Sequence, residues 1–167
     1  MDFELHKWQK EFAGDVANYA DNSKIAQNLR NVFPYPYTLA DAEWYVNDCI
    51  EKEGKYQICR AIVVNGEAVG SIGIFVQTDV HTKCAELGYW LGEPFWNSGI
   101  MTRAVKQLCT EAFSEFDILR IYAEPFAHNS GSCRVLEKAG FRLEGRLKSN
   151  IYKNGKIYDS CIYGLLK

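Results

Sequence analysis

The chain has 167 residues, of which 47% are hydrophobic and 24% charged, and its formal net charge is −2 at pH 7. This composition predicts one globular domain over residues 1–167, without the basic footprint of a nucleic-acid-binding protein. No apolar run approaches the roughly 20 residues of a membrane-spanning helix, and the N-terminus lacks the basic and apolar regions of a signal peptide. We therefore expect a cytoplasmic protein whose partners are neither nucleic acid nor membrane.

The six cysteines and three histidines are scattered along the chain. They form no C-x-x-C pair and show no spacing typical of metal ligands. We expect free thiols and no metal site.

The first third of the chain reads as helical, with one interruption and one loop. Helical character over 10–20 and 23–32 is broken near Asp21-Asn22. Two prolines exclude helix from 33–37, so this aromatic stretch should be an ordered loop. Its tyrosines, Tyr35 and Tyr37, either pack structurally or form a wall of a substrate pocket. Thr38 then resembles an N-cap with Asp41 three residues on, and Gly54 ends that helix.

The rest of the chain alternates between strand-like and helical segments. Asn65-Gly66 and Asn154-Gly155 each separate two β-rich runs, which is a strong hairpin signal. The clearest helix covers 99–116, where apolar residues recur at helical spacing. The predicted strands are 56–64, 67–76, 85–91, 120–124, 142–152 and 156–166, and a short helix covers 132–139. This order predicts an α+β fold in which helices pack on a mixed sheet.

The start of the 99–116 helix is unusual. Helix N-termini favour acidic residues, yet no acid occurs between Glu93 and Glu111, and Arg103 lies in the first turn. Gly99 would let the backbone approach an anion closely. The stretch 96–101 therefore has two readings, a phosphate or pyrophosphate cradle and an ordinary capped loop. No P-loop and no G-x-G-x-x-G fingerprint is present.

Several motifs, in this order, resemble those of the GNAT acetyltransferases, and within them the branch of the RimJ/RimL ribosomal-protein N-terminal acetyltransferases. They are Pro34-Tyr35-Pro36-Tyr37-Thr38, the strand 85–91 followed by Trp96-x-x-Gly99-x-Met101, Asn129-x-x-Ser132 through 137–141, and Glu144-Gly145 with Lys153-Asn154-Gly155. The resemblance covers nearly the whole chain. It implies a single-domain GNAT fold, with a mixed, mostly antiparallel central sheet of about six to seven strands and helices on both faces.

The resemblance also implies acetyl-CoA as co-substrate and an N-acetyltransferase that acts on a primary amine, with a protein N-terminal α-amine as one candidate. In the family, the loop before this helix holds the CoA pyrophosphate with backbone N–H groups. The residues carried over to cofactor binding are Leu91, Trp96, Asn97, Ser98, Gly99, Ile100, Met101, Thr102 and Asn129. Met101 departs from the small Gly or Ala usual in the family.

Two side chains match catalytic positions of family members. Glu86 matches a glutamate that acts as base in some GNAT enzymes, and its alternative role is structural or substrate-orienting. Ser132 matches a serine proposed near the thiol in the RimL-like branch, and its alternative role is an N-cap.

Other functions stay open from the sequence. A polyamine or an antibiotic could be the acceptor instead of a peptide. A second hypothesis belongs to another functional class: a sensor or interaction module that binds CoA but does not catalyse transfer. Only Met101 supports it. A homodimer is compatible with the sequence.

Overall fold

Seven strands form one sheet in the computed structural model, which describes every residue from Met1 to Lys167. In chain order they are β1 Glu4–His6, β2 Gln57–Val64, β3 Glu67–Val76, β4 Cys84–Leu91, β5 Arg120–Ala123, β6 Arg142–Lys153 and β7 Lys156–Leu166. Their order across the sheet is β1-β2-β3-β4-β5-β7-β6, and only the β4–β5 pair is parallel. The predicted mixed, mostly antiparallel sheet is confirmed.

Helices cover both faces of this sheet, as predicted. They are α1 Ala13–Ala20, α2 Ser23–Ala26, α3 Leu39–Lys52, α4 Ile100–Glu115 and α5 Ser130–Ala139. Helices α4 and α5 pack with one face of the strands in the larger of two hydrophobic clusters. Helices α1 and α3 pack on the opposite face in the second cluster. Strand side chains alternate between the two faces, so β2 and β4 contribute to both clusters.

The turns and one helix cap follow the predicted local chemistry. Asn65-Gly66 and Asn154-Gly155 all have positive φ, which is the backbone geometry of two-residue hairpin turns. At the start of α3, the Asp41 N–H donates to Thr38 Oγ1 at 3.2 Å, and the Thr38 N–H donates to Asp41 Oδ2 at 2.8 Å. Thr38 and Asp41 therefore form a capping box.

Two expectations in the first third were wrong. The strand β1 was not predicted, because three residues are too few to show a period of two. The helix predicted over 23–32 covers only Ser23–Ala26. The chain then turns, and the Leu29 carbonyl accepts a hydrogen bond from Lys153 of β6. This long-range contact sets the path of 27–30, and a local helical pattern cannot reveal it.

No helix of the structure has the length and apolar character needed to cross a bilayer.

Candidate active site

The parallel strands β4 and β5 diverge, and this opens the sheet. They pair only from Cys84 and Arg120 to Glu86 and Tyr122, although β4 continues to Leu91. Two cavities flank the opening. One, of about 650 Å³, lies between the end of β4 and the first turns of α4 and α5, and we call it the α4 groove. The other, of about 330 Å³, lies over β3 and β4 and is rich in aromatic rings; we call it the aromatic cavity.

The two cavities share part of their walls. The residues that line both are Asn28, Leu29, Tyr89, Trp90, Asn129 and Ser132. A molecule in one cavity would therefore meet a molecule in the other at the point where the strands separate.

The first turn of α4 offers unpaired backbone N–H groups to the α4 groove. Gly99 is the N-cap, with a left-handed φ of 77°, and no side chain caps the helix. The N–H groups of Asn97, Ser98, Gly99, Met101 and Thr102 donate to no acceptor within the protein. The first turn also contains no acid. Free amides at the positive end of a helix dipole fit an anionic ligand such as a diphosphate.

Side-chain hydrogen bonds hold the loop that leads into α4. The indole Nε1 of Trp96 donates to the Leu91 carbonyl at 2.7 Å, which ties the loop to the end of β4. Ser98 Oγ donates to the Phe95 carbonyl at 2.5 Å. The loop is thus fixed by contacts that leave its own amides free.

All nine residues predicted to bind the cofactor line the α4 groove: Leu91, Trp96, Asn97, Ser98, Gly99, Ile100, Met101, Thr102 and Asn129. The structure brings them together, and their role in binding stays a prediction. Most of the Met101 side chain packs into the core, since the residue is only 6% exposed. The methionine at this position therefore leaves the groove open.

Arg103, in the first turn of α4, contacts the first residues of the chain. Its guanidinium carbon lies 4.9 Å from the centre of the Phe3 ring, and Nη2 donates to the Met1 carbonyl. The N-terminal strand thus accommodates this charge away from the groove.

Ser132 is not the N-cap of its helix. Helix α5 begins at Ser130, and the Asn129 side chain caps it by accepting from the Ser132 N–H at 3.2 Å. The Ser132 hydroxyl instead lies 2.7 Å from the Tyr89 hydroxyl. Burial raises the pKa of the Tyr89 phenol well above its ordinary value, so the phenol stays protonated at neutral pH. Tyr89 can therefore donate to Ser132, which frees the serine hydrogen for another acceptor.

Glu86 lies in the aromatic cavity and not in the α4 groove. Its carboxylate forms an ion pair with Arg30, a residue of the turn that follows α2. Burial and then the charge of Glu86 raise the pKa of Tyr122, its partner on β5. Glu86 and Ser132, the two predicted catalytic residues, both line the aromatic cavity, and Ser132 also lines the α4 groove.

Comparison with known proteins agrees with this geometry. The sequence matches the acetyltransferase (GNAT) domain family over residues 2–142. The chain belongs to the GNAT acetyltransferase family. Members of this family are acetyltransferases, and the co-substrate of the family is acetyl-CoA.

The relatives of this GNAT chain in sequence include two from Bacillus subtilis. The putative ribosomal N-acetyltransferase YdaF is 35% identical over 106 residues, which are 64% of this chain and 57% of the relative. The uncharacterized N-acetyltransferase YoaA is 34% identical over 101 residues, 60% of this chain and 56% of the relative. The chain thus spans less than two thirds of the length of these relatives. Spermidine N(1)-acetyltransferase of Escherichia coli K12 is 26% identical over 143 residues, 83% of this chain and 75% of the relative.

Solved structures show that the GNAT fold is shared along the whole chain. RimL, a ribosomal L7/L12 alpha-N-protein acetyltransferase in complex with coenzyme A, superposes with a TM-score of 0.86 at 24% identity, covering 98% of this chain and 93% of RimL. The microcin C7 self-immunity acetyltransferase MccE, in complex with acetyl-CoA and AMP, superposes with a TM-score of 0.85 at 23% identity, covering 99% of this chain and 93% of MccE.

The two tyrosines predicted to form a substrate pocket lie outside both cavities. Tyr35 is 57% exposed, whereas Tyr37 is 6% exposed and belongs to the cluster under α1 and α3. Their neighbour Phe33 is the residue of this loop that lines the aromatic cavity. The Phe33 ring packs between Tyr37 and Trp90, with ring centres 4.9 Å and 6.0 Å away.

Three cations at the α4 groove were missed from the sequence. Lys24, Arg134 and Lys138 line it. Lys24 is paired with Glu93, and this hydrogen bond lowers the pKa of that carboxyl. Arg134 and Lys138 form no ion pair within the protein. The sequence could have indicated Arg134 and Lys138 through their spacing of four residues on the helix after Asn129, because this spacing places both on one face.

No group of three or more His, Cys, Asp or Glu side chains is arranged to hold a metal ion.

Proposed function

We propose that this GNAT chain transfers an acetyl group from acetyl-CoA to a primary amine, and that residues 1–167 act as one acetyltransferase domain. The observation that carries the proposal is the shared wall of two cavities at the divergence of β4 and β5. One cavity has the amides and cations suited to a diphosphate, and the other holds a carboxylate. The candidate acceptors are a protein N-terminal α-amine and a small amine, because relatives include a putative ribosomal and a spermidine acetyltransferase.

The α4 groove would hold the donor. The backbone amides of 97–102 would bind the diphosphate, and Arg134 and Lys138 would add positive charge. The free edge of β4 towards Leu91 offers backbone groups to an extended arm, and a strand N–H is also a suitable donor to an oxyanion. When bound, acetyl-CoA supplies an acyl group activated as a thioester.

Glu86 would accept a proton from the acceptor amine, through a water molecule. An α-amine has a pKa of about 7.7–8.0, so a large fraction of it is already neutral near pH 7.5, and a modest base is enough. The ion pair with Arg30 holds the carboxylate in one orientation. The orienting role and the role as base are therefore compatible in this geometry.

Ser132 would donate its hydroxyl hydrogen to the departing thiolate, and the proton that Glu86 takes from the amine would then restore the hydroxyl through water. Tyr89, at 2.7 Å, would orient this hydroxyl and donate to its oxygen as the hydrogen leaves. Both side chains lie in the shared wall, where donor and acceptor would meet. The sensor reading has no specific structural support, because Met101 packs into the core.

A matched pair of variants tests donor binding. Asp and Asn have similar size, both tolerate a left-handed φ, and both can cap a helix. Gly99→Asp adds a charge beside the proposed diphosphate, whereas Gly99→Asn does not. We expect acetyl-CoA to bind Gly99→Asp about tenfold or more weakly than Gly99→Asn, because like charges near a protein surface repel by about 1–4 kcal/mol.

Binding and turnover are measured separately. For the unaltered protein, acetyl-CoA at 100 times its dissociation constant should add about 2.7 kcal/mol to the free energy of unfolding, which appears as a higher melting temperature. Thiol release is then followed with a panel of peptides, polyamines and aminoglycosides. Absence of a melting shift at millimolar acetyl-CoA contradicts the proposal. A shift without thiol release on any amine favours the sensor.

A further inference from the structure

Two facing glycines form the floor of the aromatic cavity. Gly73 of β3 and Gly88 of β4 are cross-strand partners, and Ser71–Trp90 and Phe75–Glu86 are the neighbouring pairs on the same face. The Phe75 ring covers Gly73, which is buried, and bare backbone is exposed at Gly88. A Cβ on Gly73 would lie 2.8 Å from the Phe75 ring and 2.9 Å from Cys59 Sγ. A Cβ on Gly88 would meet only Phe75, at 3.9 Å. The open space therefore lies above Gly88.

The walls around this floor are aromatic. The rings that line the cavity are Phe33, Tyr45, Phe75, Tyr89, Trp90 and Phe126. The Tyr45 hydroxyl lies 2.7 Å from Ser71 Oγ, so both hydroxyls are already engaged. This part of the cavity therefore presents apolar surface and ring faces to a ligand, and no free polar groups.

The charged groups of the cavity are already paired or hydrogen-bonded. They are Arg30, Glu86 and Glu124. Arg30 pairs with Glu86. Glu124 accepts from Asn150 Nδ2 at 2.9 Å and from Ser160 Oγ at 3.0 Å. A polyamine carries several ammonium charges that need carboxylates when they leave water. Glu124 is the only carboxylate of this cavity without a cationic partner, which is fewer than the ammonium charges of a polyamine require.

We propose that the acceptor carries an aromatic or other large apolar group next to its primary amine. This group would lie on the Gly73–Gly88 floor between Trp90 and Phe75, with the amine directed towards the wall shared with the α4 groove. The volume of about 330 Å³ lies at the low end for ligand pockets, so it suits a small amine or the first residue of a peptide. This inference rests on the proposed function and names the acceptor class of the same site.

The test compares three acceptors in the thiol-release assay with the full chain: phenylalaninamide, glycinamide and spermidine. Burial of an aromatic side chain is worth about tenfold or more in affinity. We expect kcat/KM for phenylalaninamide to exceed the value for glycinamide by at least that factor, and to exceed the value for spermidine. Equal values, or a preference for spermidine, would overturn the inference while leaving acetyl transfer intact. No thiol release with any of the three and the wider amine panel would contradict the proposed function itself.

A variant then ties the preference to the floor. Gly88→Ala fills the open space with one methyl group and should raise the KM for phenylalaninamide about tenfold, with little change for glycinamide or acetyl-CoA. Gly145→Ala is the matched control, because a Cβ there meets no atom within 4 Å and β6 places it outside both cavities. Phe33→Leu is the second variant and removes one ring of the wall. An unchanged preference in folded Gly88→Ala and Phe33→Leu would overturn the inference.

Discussion

At the scale of single residues, the candidate site depends on contacts that join distant parts of the chain. Glu86 is positioned by Arg30, which is 56 residues away in sequence, and Ser132 by Tyr89, 43 residues away. The sequence indicated Glu86 and Ser132 through their resemblance to family positions. It did not indicate Arg30 or Tyr89. Tyr89 lies on the same face of β4 as Leu87 and Leu91, so the sequence pattern indicates a core residue until α5 is placed beside it.

Glu86→Gln tests the proposed base. Glutamine keeps the size of the side chain and can still accept from Arg30, but it cannot take up a proton at neutral pH. We expect kcat to fall about a hundredfold, within the range for general-base catalysis, with acetyl-CoA binding unchanged because Glu86 does not line the α4 groove. Steady-state rates from pH 6 to 9 measure this. Glu43→Gln, on the exposed side of α3, is the control.

The same experiment separates the two roles of Glu86. Arg30→Met removes the partner but keeps the carboxylate. If Glu86 only orients the acceptor through this ion pair, Arg30→Met should be as impaired as Glu86→Gln. If Glu86 is the base, Glu86→Gln should be clearly the slower enzyme. An unaltered kcat and pH profile in Glu86→Gln would exclude it as base.

At the scale of elements, local signals predicted most of the structure and long-range contacts account for the errors. The two Asn-Gly hairpins, the capped helix α3 and the long helix α4 each have a sequence signature of a few residues. The turn after α2 does not, because Lys153 determines its path. The α4 groove was predictable for a similar reason: nearly all its predicted residues are consecutive in sequence. The aromatic cavity draws on α3, α5, four strands and two loops, and only the folded chain reveals it.

Thr38→Ala tests the capping box of α3. The variant loses the side-chain acceptor of the Asp41 N–H and the hydrogen bond from the Thr38 hydroxyl, which lowers the pKa of Asp41; the bond from the Thr38 backbone N–H remains. We expect the free energy of unfolding in urea to fall by about 1 kcal/mol. Thr38→Ser retains the hydroxyl and should stay within about 0.5 kcal/mol of the unaltered protein. Equal stability of the Ala and Ser variants would show that the cap contributes nothing measurable.

At the scale of the whole molecule, the sheet separates two packed layers and is open at one place. The aromatic cavity lies on the face that carries α1 and α3, whereas the α4 groove lies beside α4 and α5. The opening exists because β5 has only four residues and pairs with β4 over three. Strand lengths of this kind were predicted, but the lateral order of the strands was not, since it depends on contacts between elements.

This arrangement predicts the kinetic order of the reaction. Because separate cavities meet at Tyr89 and Ser132, both substrates can be bound at once and the acetyl group can pass directly between them. We expect double-reciprocal plots of initial rate against acetyl-CoA, at several amine concentrations, to intersect. Parallel lines, or radiolabel retained on the protein after incubation with labelled acetyl-CoA alone, would contradict direct transfer.

The short pairing between β4 and β5 also bears on how products depart. Since the two cavities lie beside different helical layers, we expect spent coenzyme and the acetylated amide to leave by separate exits. We therefore expect free CoA to inhibit the enzyme by competing with acetyl-CoA. It should not inhibit by preventing release of the acetylated amide.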